Sequence, residues 1–225
     1  MKKIFICWIS FFSFMNFNSQ TKELEKKEIL FFEVRGGYLD YNIVSTENHG
    51  EIDFTTSFAK EMVLGYFWRK NYTLSISYTI RNFVDWSELD DNKFSSYSSF
   101  ENKTIILRAE KSYHVSKRNS FAIGFGIGGA QNKMNSIIVL TPQKQVFKTV
   151  ETSTTNSLSL LFFLNSQTRI WWRFELILET RFAILGKSES AKKAVDETGQ
   201  EIEQEALKIN YISAVEGIVG LRYTL

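Results

Sequence analysis

Apolar and polar residues alternate along much of this chain, which is the pattern of β-strands with two unlike faces. In the clearest stretch, residues 72–81, apolar side chains occupy one face and Thr, Ser and Arg the other. Residues 121–128 alternate Phe or Ile with Ala or Gly in the same way. A helix would need apolar residues three and four positions apart, which neither stretch shows. The sequence therefore predicts strands here.

Eight strands are predicted along the chain, separated by alternating short and long connections. They span about residues 30–43, 61–69, 72–84, 104–115, 120–130, 157–164, 169–185 and 209–225. Short turns are expected near 70–71, 116–119 and 165–168, and longer loops over about 44–60, 85–103, 131–156 and 186–208. Short turns at one end and longer loops at the other are typical of a membrane-spanning barrel.

The polar faces of these strands combine small residues with Arg and Glu. A soluble sandwich or lipocalin would turn its apolar face inward and its polar face to water, where small residues have no advantage. The narrow lumen of an eight-stranded barrel does favour them. Buried charges need partners, so we expect the polar faces to form an ion-pair network in the lumen. Its expected members are Glu33, Arg35, Arg108, Glu110, Arg173, Glu175, Glu179 and Arg181.

Aromatic residues collect beside the expected short turns, where they would form an interfacial belt, half in lipid and half in water. They are Trp68, Tyr72, Tyr113, Phe121, Trp171, Trp172 and Tyr223. The predicted fold class is therefore an all-β, eight-stranded, antiparallel, up-and-down transmembrane β-barrel with short periplasmic turns and longer extracellular loops.

The last nine residues, 217–225, form an alternating strand that ends on a hydrophobic residue. They resemble the C-terminal strand of outer-membrane β-barrels, whose Gly-x-x-apolar-x-apolar pattern is an insertion signal. Gly220, Tyr223 and Leu225 match that pattern. With its strands and connection rhythm, the chain resembles the small outer-membrane β-barrel proteins of Bacteroidota, the PorT-like group. The resemblance implies an outer-membrane location, contact with lipid and lipopolysaccharide, and recognition by the insertion machinery.

The first residues have the form of a secretory signal peptide. Lys2 and Lys3 precede an apolar run of 14 residues, 4–17, interrupted by Ser10, Ser13 and Asn16. That run is shorter than the roughly 20 residues a spanning helix needs. We expect residues 1–19 to be a signal peptide, 20–28 a short periplasmic segment and 29–225 the barrel domain. Cys7, the one cysteine, would leave with the signal.

Charge and composition exclude some functions. The chain has 27 basic and 25 acidic residues, and Lys2 and Lys3 belong to the expected signal, so the mature chain is close to neutral. This balance indicates no nucleic-acid partner. A mean hydropathy of −0.17 is compatible with a membrane barrel, since apolar and polar residues alternate.

Catalytic and cofactor motifs are missing from the sequence. It has no phosphate-binding loop, HExxH motif or cysteine cluster, so we expect no cofactor and no metal. The segment from His114 to Ser116 is similar to the His-x-Ser of lipid A deacylases, but it falls at a periplasmic turn. His49, with Asp85 and Ser87, loosely resembles the arrangement in the palmitoyltransferases. We expect neither histidine to be catalytic and the protein not to be an enzyme.

The long loops are the expected places of recognition. Residues 85–92 are acidic and favour a solvated loop over a divalent-cation site, because their spacing does not match a calcium-binding loop. The expected function is a structural, adhesive or complex-forming role with a closed lumen, with a protein partner reached through the extracellular loops. A lipid A-modifying enzyme and a narrow pore are the alternatives.

Overall fold

The chain forms a closed, antiparallel barrel of eight strands, as seen in a computed structural model. The structure describes residues 30–46, 50–53, 56–69, 71–89, 94–140, 145–149, 153–189, 193–195, 198–203 and 208–225. The barrel strands are β1 (Leu30–Thr46), β2 (Thr56–Arg69), β3 (Tyr72–Leu89), β4 (Phe94–His114), β5 (Asn119–Leu140), β6 (Ser153–Trp171), β7 (Phe174–Ile184) and β8 (Lys208–Thr224). Each pairs with the next, and β8 returns to β1, which closes the barrel and confirms the predicted fold class.

The two ends of the barrel differ. Three tight connections lie at one end, which we call the turn end, and there the Leu225 N–H donates to the Leu30 carbonyl over 2.9 Å. At the opposite, loop end, short strands extend the sheet. They are Gly50–Asp53, Gln145–Thr149, Ser188–Glu189, Lys193–Val195 and Glu201–Glu203. No helix among the described residues is long and apolar enough to cross a membrane.

The two faces of the barrel wall carry opposite kinds of side chain. On β3, Leu74 and Ile76 point outward and are exposed, whereas Thr79 and Arg81 point inward and are fully buried. The same alternation follows from the period of two along every strand. An apolar exterior around a charged interior is the inverse of a soluble protein.

Several strands extend farther than their hydrophobic pattern indicated. The expected loop over 85–103 is wrong, because β3 continues to Leu89 and β4 already begins at Phe94. β5 likewise continues to Leu140. These extensions include the polar run 95–99, which has no apolar face, so hydrophobic alternation cannot reveal it. Backbone pairing continues the ladder there.

The predicted turn at 165–168 is also wrong. Those residues lie within β6, and the chain turns at Trp172 and Arg173 instead. Asn165 and Gln167 resemble turn residues, but both are buried in the lumen. There the Asn165 amide donates to Glu110 over 3.1 Å. A polar lumen therefore accommodates amides that in a soluble strand would indicate a loop.

Candidate functional site

The lumen contains equal numbers of buried Arg and Glu side chains in one connected network. Five of each are at most 6% exposed, and their ion pairs join residues of one strand, of neighbouring strands and of strands across the barrel. The members are Arg35, Arg81, Arg108, Arg181, Arg222, Glu33, Glu61, Glu110, Glu179 and Glu216.

Two carboxylates hold the middle of the network. Glu179 on β7 accepts hydrogen bonds from Arg35 and Arg108, each over 2.6 Å. Glu61 on β2 accepts from Arg181 over 2.8 Å and from Arg108 over 3.4 Å. Arg108 thus joins both carboxylates, and its guanidinium also lies 4.0 Å from the centre of the Phe163 ring. Strands from opposite sides of the barrel are linked in this way.

Toward the loop end, Glu216 is the shared acceptor. It accepts hydrogen bonds from both Arg81 and Arg181. Arg81 donates further to Asn102 over 3.2 Å and to Thr104 over 2.9 Å. Every partner in this group is buried, so its electrostatic interactions act in a low dielectric.

Toward the turn end, Arg222 connects the network to aromatic packing. It donates to Glu33, which also accepts from Arg35, and to Glu110 over 3.3 Å. The Arg222 guanidinium lies 4.2 Å from the centre of the Phe31 ring. The ring therefore covers the network from the turn end.

The predicted lumen residues differ in their positions. Six of them lie within the network: Glu33, Arg35, Arg108, Glu110, Glu179 and Arg181. Glu175 lies at its turn-side edge, 3.5 Å from Arg222. The placement of Arg173 in the lumen is wrong, because the true turn at 172–173 puts it outside, exposed, with its guanidinium 4.5 Å from the centre of the Trp172 ring.

Four network members were missing from the predicted set: Glu61, Arg81, Glu216 and Arg222. Their signal was present, because Arg81 shares the polar face of β3 with Thr79. Pairing across the barrel depends on register and shear, which alternation within one strand does not contain.

The glycines of β5 provide space for lumen side chains. A Cβ on Gly124 would lie 2.1 Å from Phe163 Cζ, and one on Gly126 would lie 2.5 Å from Ile106 Cγ2. These glycines therefore serve close packing in the lumen, and a dinucleotide-binding loop is not needed to explain them.

A break in the strand follows β7 at the loop end of the barrel. Leu185 is fully buried, and Gly186 adopts a φ of 77°. The Asn132 side chain donates to the Lys187 carbonyl over 2.8 Å, and the Ser157 hydroxyl donates to the Leu185 carbonyl over 3.0 Å. These bonds hold the break, residues 185–187, against β5 and β6. We call this segment the mouth segment.

The residues of the expected insertion signal lie on and beside β8. Gly220 is buried, and a Cβ there would lie 2.6 Å from Arg35 Cγ, so its small size also serves the lumen. The Tyr223 ring packs against Phe174 with 5.0 Å between ring centres, and Leu225 is exposed.

The candidate catalytic residues are placed as follows. His49 and residues 90–92 of the acidic segment lie outside the described residues. His114 is exposed at the turn end of β4. The Ser116 hydroxyl accepts from the Arg118 and Asn119 N–H groups over 3.3 and 3.0 Å, so it shapes the turn. In the part of the chain that the structure describes, no three His, Cys, Asp or Glu side chains are grouped to hold a metal.

Comparison with known proteins shows similarity of fold without similarity of sequence. No protein-family model matches the chain, and no curated protein sequence matches it. Neisserial surface protein A superposes with a TM-score of 0.51 at 10% identity, over 88% of this chain and 99% of that one. A major outer membrane protein from Thermus thermophilus superposes with a TM-score of 0.55 at 11% identity, over 87% of this chain and 99% of that one. The chain therefore has the fold of small outer-membrane β-barrel proteins.

Proposed function

We propose that this chain is an integral outer-membrane β-barrel protein with a lumen closed by its own side chains. Its role is structural, adhesive or complex-forming and not catalytic. The observation that supports this is the inverted wall, with ion pairs inside and a continuous apolar band outside. Leu107, Phe125 and Phe162, on three neighbouring strands, are 63%, 58% and 55% exposed. A soluble monomer rarely exposes an apolar surface of this extent.

The finer parts of the proposal rest on the sequence. Residues 1–19 direct export, and the insertion machinery reads Gly220, Tyr223 and Leu225 on the closing strand. The turn end faces the periplasm, and the loop end, near lipopolysaccharide, offers the surface for a protein partner. Its architecture also resembles that of the PorT-like barrels of Bacteroidota.

Membrane fractionation with gel electrophoresis tests the location. The protein should remain with the outer membrane after a carbonate wash. It should also migrate differently with and without boiling in detergent, because a closed barrel resists unfolding by mild detergent. Recovery in the soluble periplasmic fraction would contradict the proposal.

Lipid A mass spectrometry tests the absence of catalysis. Acid–base or nucleophilic catalysis needs a base held beside its partner, and His114 lies at the turn end, away from the outer leaflet. Cells with the gene, without it, and with the His49→Ala, His114→Ala variant should have the same lipid A acylation. An acyl-chain change that depends on either histidine would favour the enzyme.

A further inference from the structure

The three connections at the turn end of the barrel have a basic surface. Within residues 68–72, 111–120 and 168–174 the sequence has no acidic residue. Glu175 follows directly, but its side chain turns toward Arg222 and is mostly buried. Among the described residues of these connections, six basic side chains are exposed: Arg69, Lys111, Lys117, Arg118, Arg169 and Arg173.

The opposite end has the opposite balance. The four loop-end stretches of the sequence, residues 38–60, 82–104, 131–158 and 183–213, contain 16 acidic and 10 basic residues. The chain as a whole is nearly neutral, with a formal net charge of +2. Charge is therefore separated along the barrel axis, and the excess of positive charge at the turn end is not a result of overall composition.

The cations of the turn end lie against outward-facing aromatic rings. The Arg69 guanidinium is 5.1 Å from the centre of the Trp68 ring, and the Arg173 guanidinium is 4.5 Å from that of Trp172. Lys111 Nζ lies 5.3 Å from the centre of the Tyr113 ring and also contacts a second tyrosine. These pairs are on different sides of the barrel, so they form parts of one ring around it.

This geometry fits the boundary of a membrane. Aromatic rings prefer the level of the lipid headgroups, and long basic side chains extend from that level toward phosphates. Trp172 is 78% exposed and Trp171 75%, which places both rings beyond the wall of the barrel. Cations directly beside such rings are positioned for the phosphates of the same leaflet.

We propose that the turn end of this barrel is a binding surface selective for anionic phospholipid headgroups. The proposal rests on the proposed membrane location and adds the lipid class that this end recognises. The cations beside the aromatic rings lie on the wall of the barrel, which favours lipid over peptidoglycan as the ligand. Peptidoglycan lies beyond the membrane and would contact mainly the tip of the β4–β5 turn. Lys117 and Arg118 are the exposed cations at that tip.

Fluorescence quenching by brominated lipids tests this. The full chain with Trp8→Phe and Trp86→Phe retains Trp68, Trp171 and Trp172, all at the turn end, as reporters. It is reconstituted in phosphatidylcholine vesicles containing either brominated phosphatidylglycerol or brominated phosphatidylcholine. We expect phosphatidylglycerol to quench more strongly at equal mole fraction. The preference should weaken as salt is raised, because screening acts on exposed charges.

The variant Arg69→Gln, Lys111→Gln, Arg173→Gln removes the three cations next to the rings. Each basic residue at an anionic surface should strengthen the attraction by about fivefold. In this variant the ratio of quenching by phosphatidylglycerol to quenching by phosphatidylcholine should therefore fall toward one. The matched control is Lys60→Gln, Lys133→Gln, Lys187→Gln, which removes three exposed cations nearer the loop end and should retain the preference. If the triple variant does not insert, Arg173→Gln alone should still lower the preference.

The outcomes separate this proposal from the membrane location. Equal quenching by the two lipids in an inserted, heat-modifiable protein would overturn the headgroup selectivity and leave the location intact. The same would follow if both triple variants lost the preference equally. Absence of quenching by either lipid would instead overturn the location. Sedimentation with peptidoglycan, lost in the turn-end variant and without lipid preference, would assign the basic surface to the polymer.

Discussion

At the scale of single residues, the lumen is stable only as a matched set of charges. Glu216 is fully buried between Arg81 and Arg181 and accepts hydrogen bonds from both. A buried ion pair contributes little beyond a well-packed apolar pair, but removing one partner leaves the other charge buried and unpaired. Arg81 is ion-paired with this carboxylate, whereas Arg181 is also paired with Glu61 over 2.8 Å, so the loss of Glu216 affects Arg81 most.

Glu216→Gln should lower the free energy of unfolding by about 3–5 kcal/mol, because it removes that charge and keeps the shape. Urea unfolding in lipid vesicles, followed by the heat-modifiable band, measures the loss. Glu101→Gln is the matched control, since Glu101 pairs with Lys103 over 2.7 Å in a partly exposed position. It should change stability little. Equal losses in the two variants would contradict the importance of burial.

At the scale of strands, hydrophobic alternation predicts the strands that have an apolar face. It misses the parts of strands that are polar on both faces and are held by backbone pairing. β3 was recognised because Leu74 and Ile76 alternate with small polar residues. Hydrophobic alternation instead predicts connections at the polar run 95–99 and at the buried amides of 165–167, because neither stretch has an apolar face. The ion pairs could be expected as a class, but not by partner. Glu61 and Arg181, for example, are 120 residues apart.

The mouth segment is the strand-scale feature that depends on one glycine. Gly186 has a positive φ, and a Cβ there would lie 2.4 Å from Ser157 Oγ and 2.7 Å from the Leu158 carbonyl oxygen. Gly199 has a similar φ of 84°, but no atom lies within 4 Å of a Cβ built there. Substituting each glycine in turn therefore separates the effect of the backbone conformation on stability from the effect of the close packing.

Gly199→Ala should therefore cost about 1 kcal/mol, from the left-handed conformation alone. Gly186→Ala should cost about 2–4 kcal/mol, because overpacking against β6 adds to that strain. The same urea unfolding experiment compares them. If the two variants are equally stable, the contact between the mouth segment and β6 is not tight, and the packing described for Ser157 does not hold in the membrane.

At the scale of the whole molecule, the proposed closure of the lumen rests on strand number and side-chain size together. Eight strands leave an interior just wide enough for side chains. Here long side chains fill it at several levels, and Arg81, Arg181, Arg222, Phe31 and Leu185 are among the largest that are fully buried. The network crosses the lumen in its middle, and the mouth segment adds the fully buried Leu185 toward the loop end.

In planar bilayers the protein should therefore show no steady conductance steps, under conditions in which an open porin does. Glu216→Gln should also remain closed where it folds, because it removes a charge but almost no volume, and closure depends on volume. Steady conductance in the parent protein would contradict the closed lumen and favour the narrow pore. Conductance in Glu216→Gln alone would show that the ion pairs, and not the volume of the side chains, keep the lumen shut.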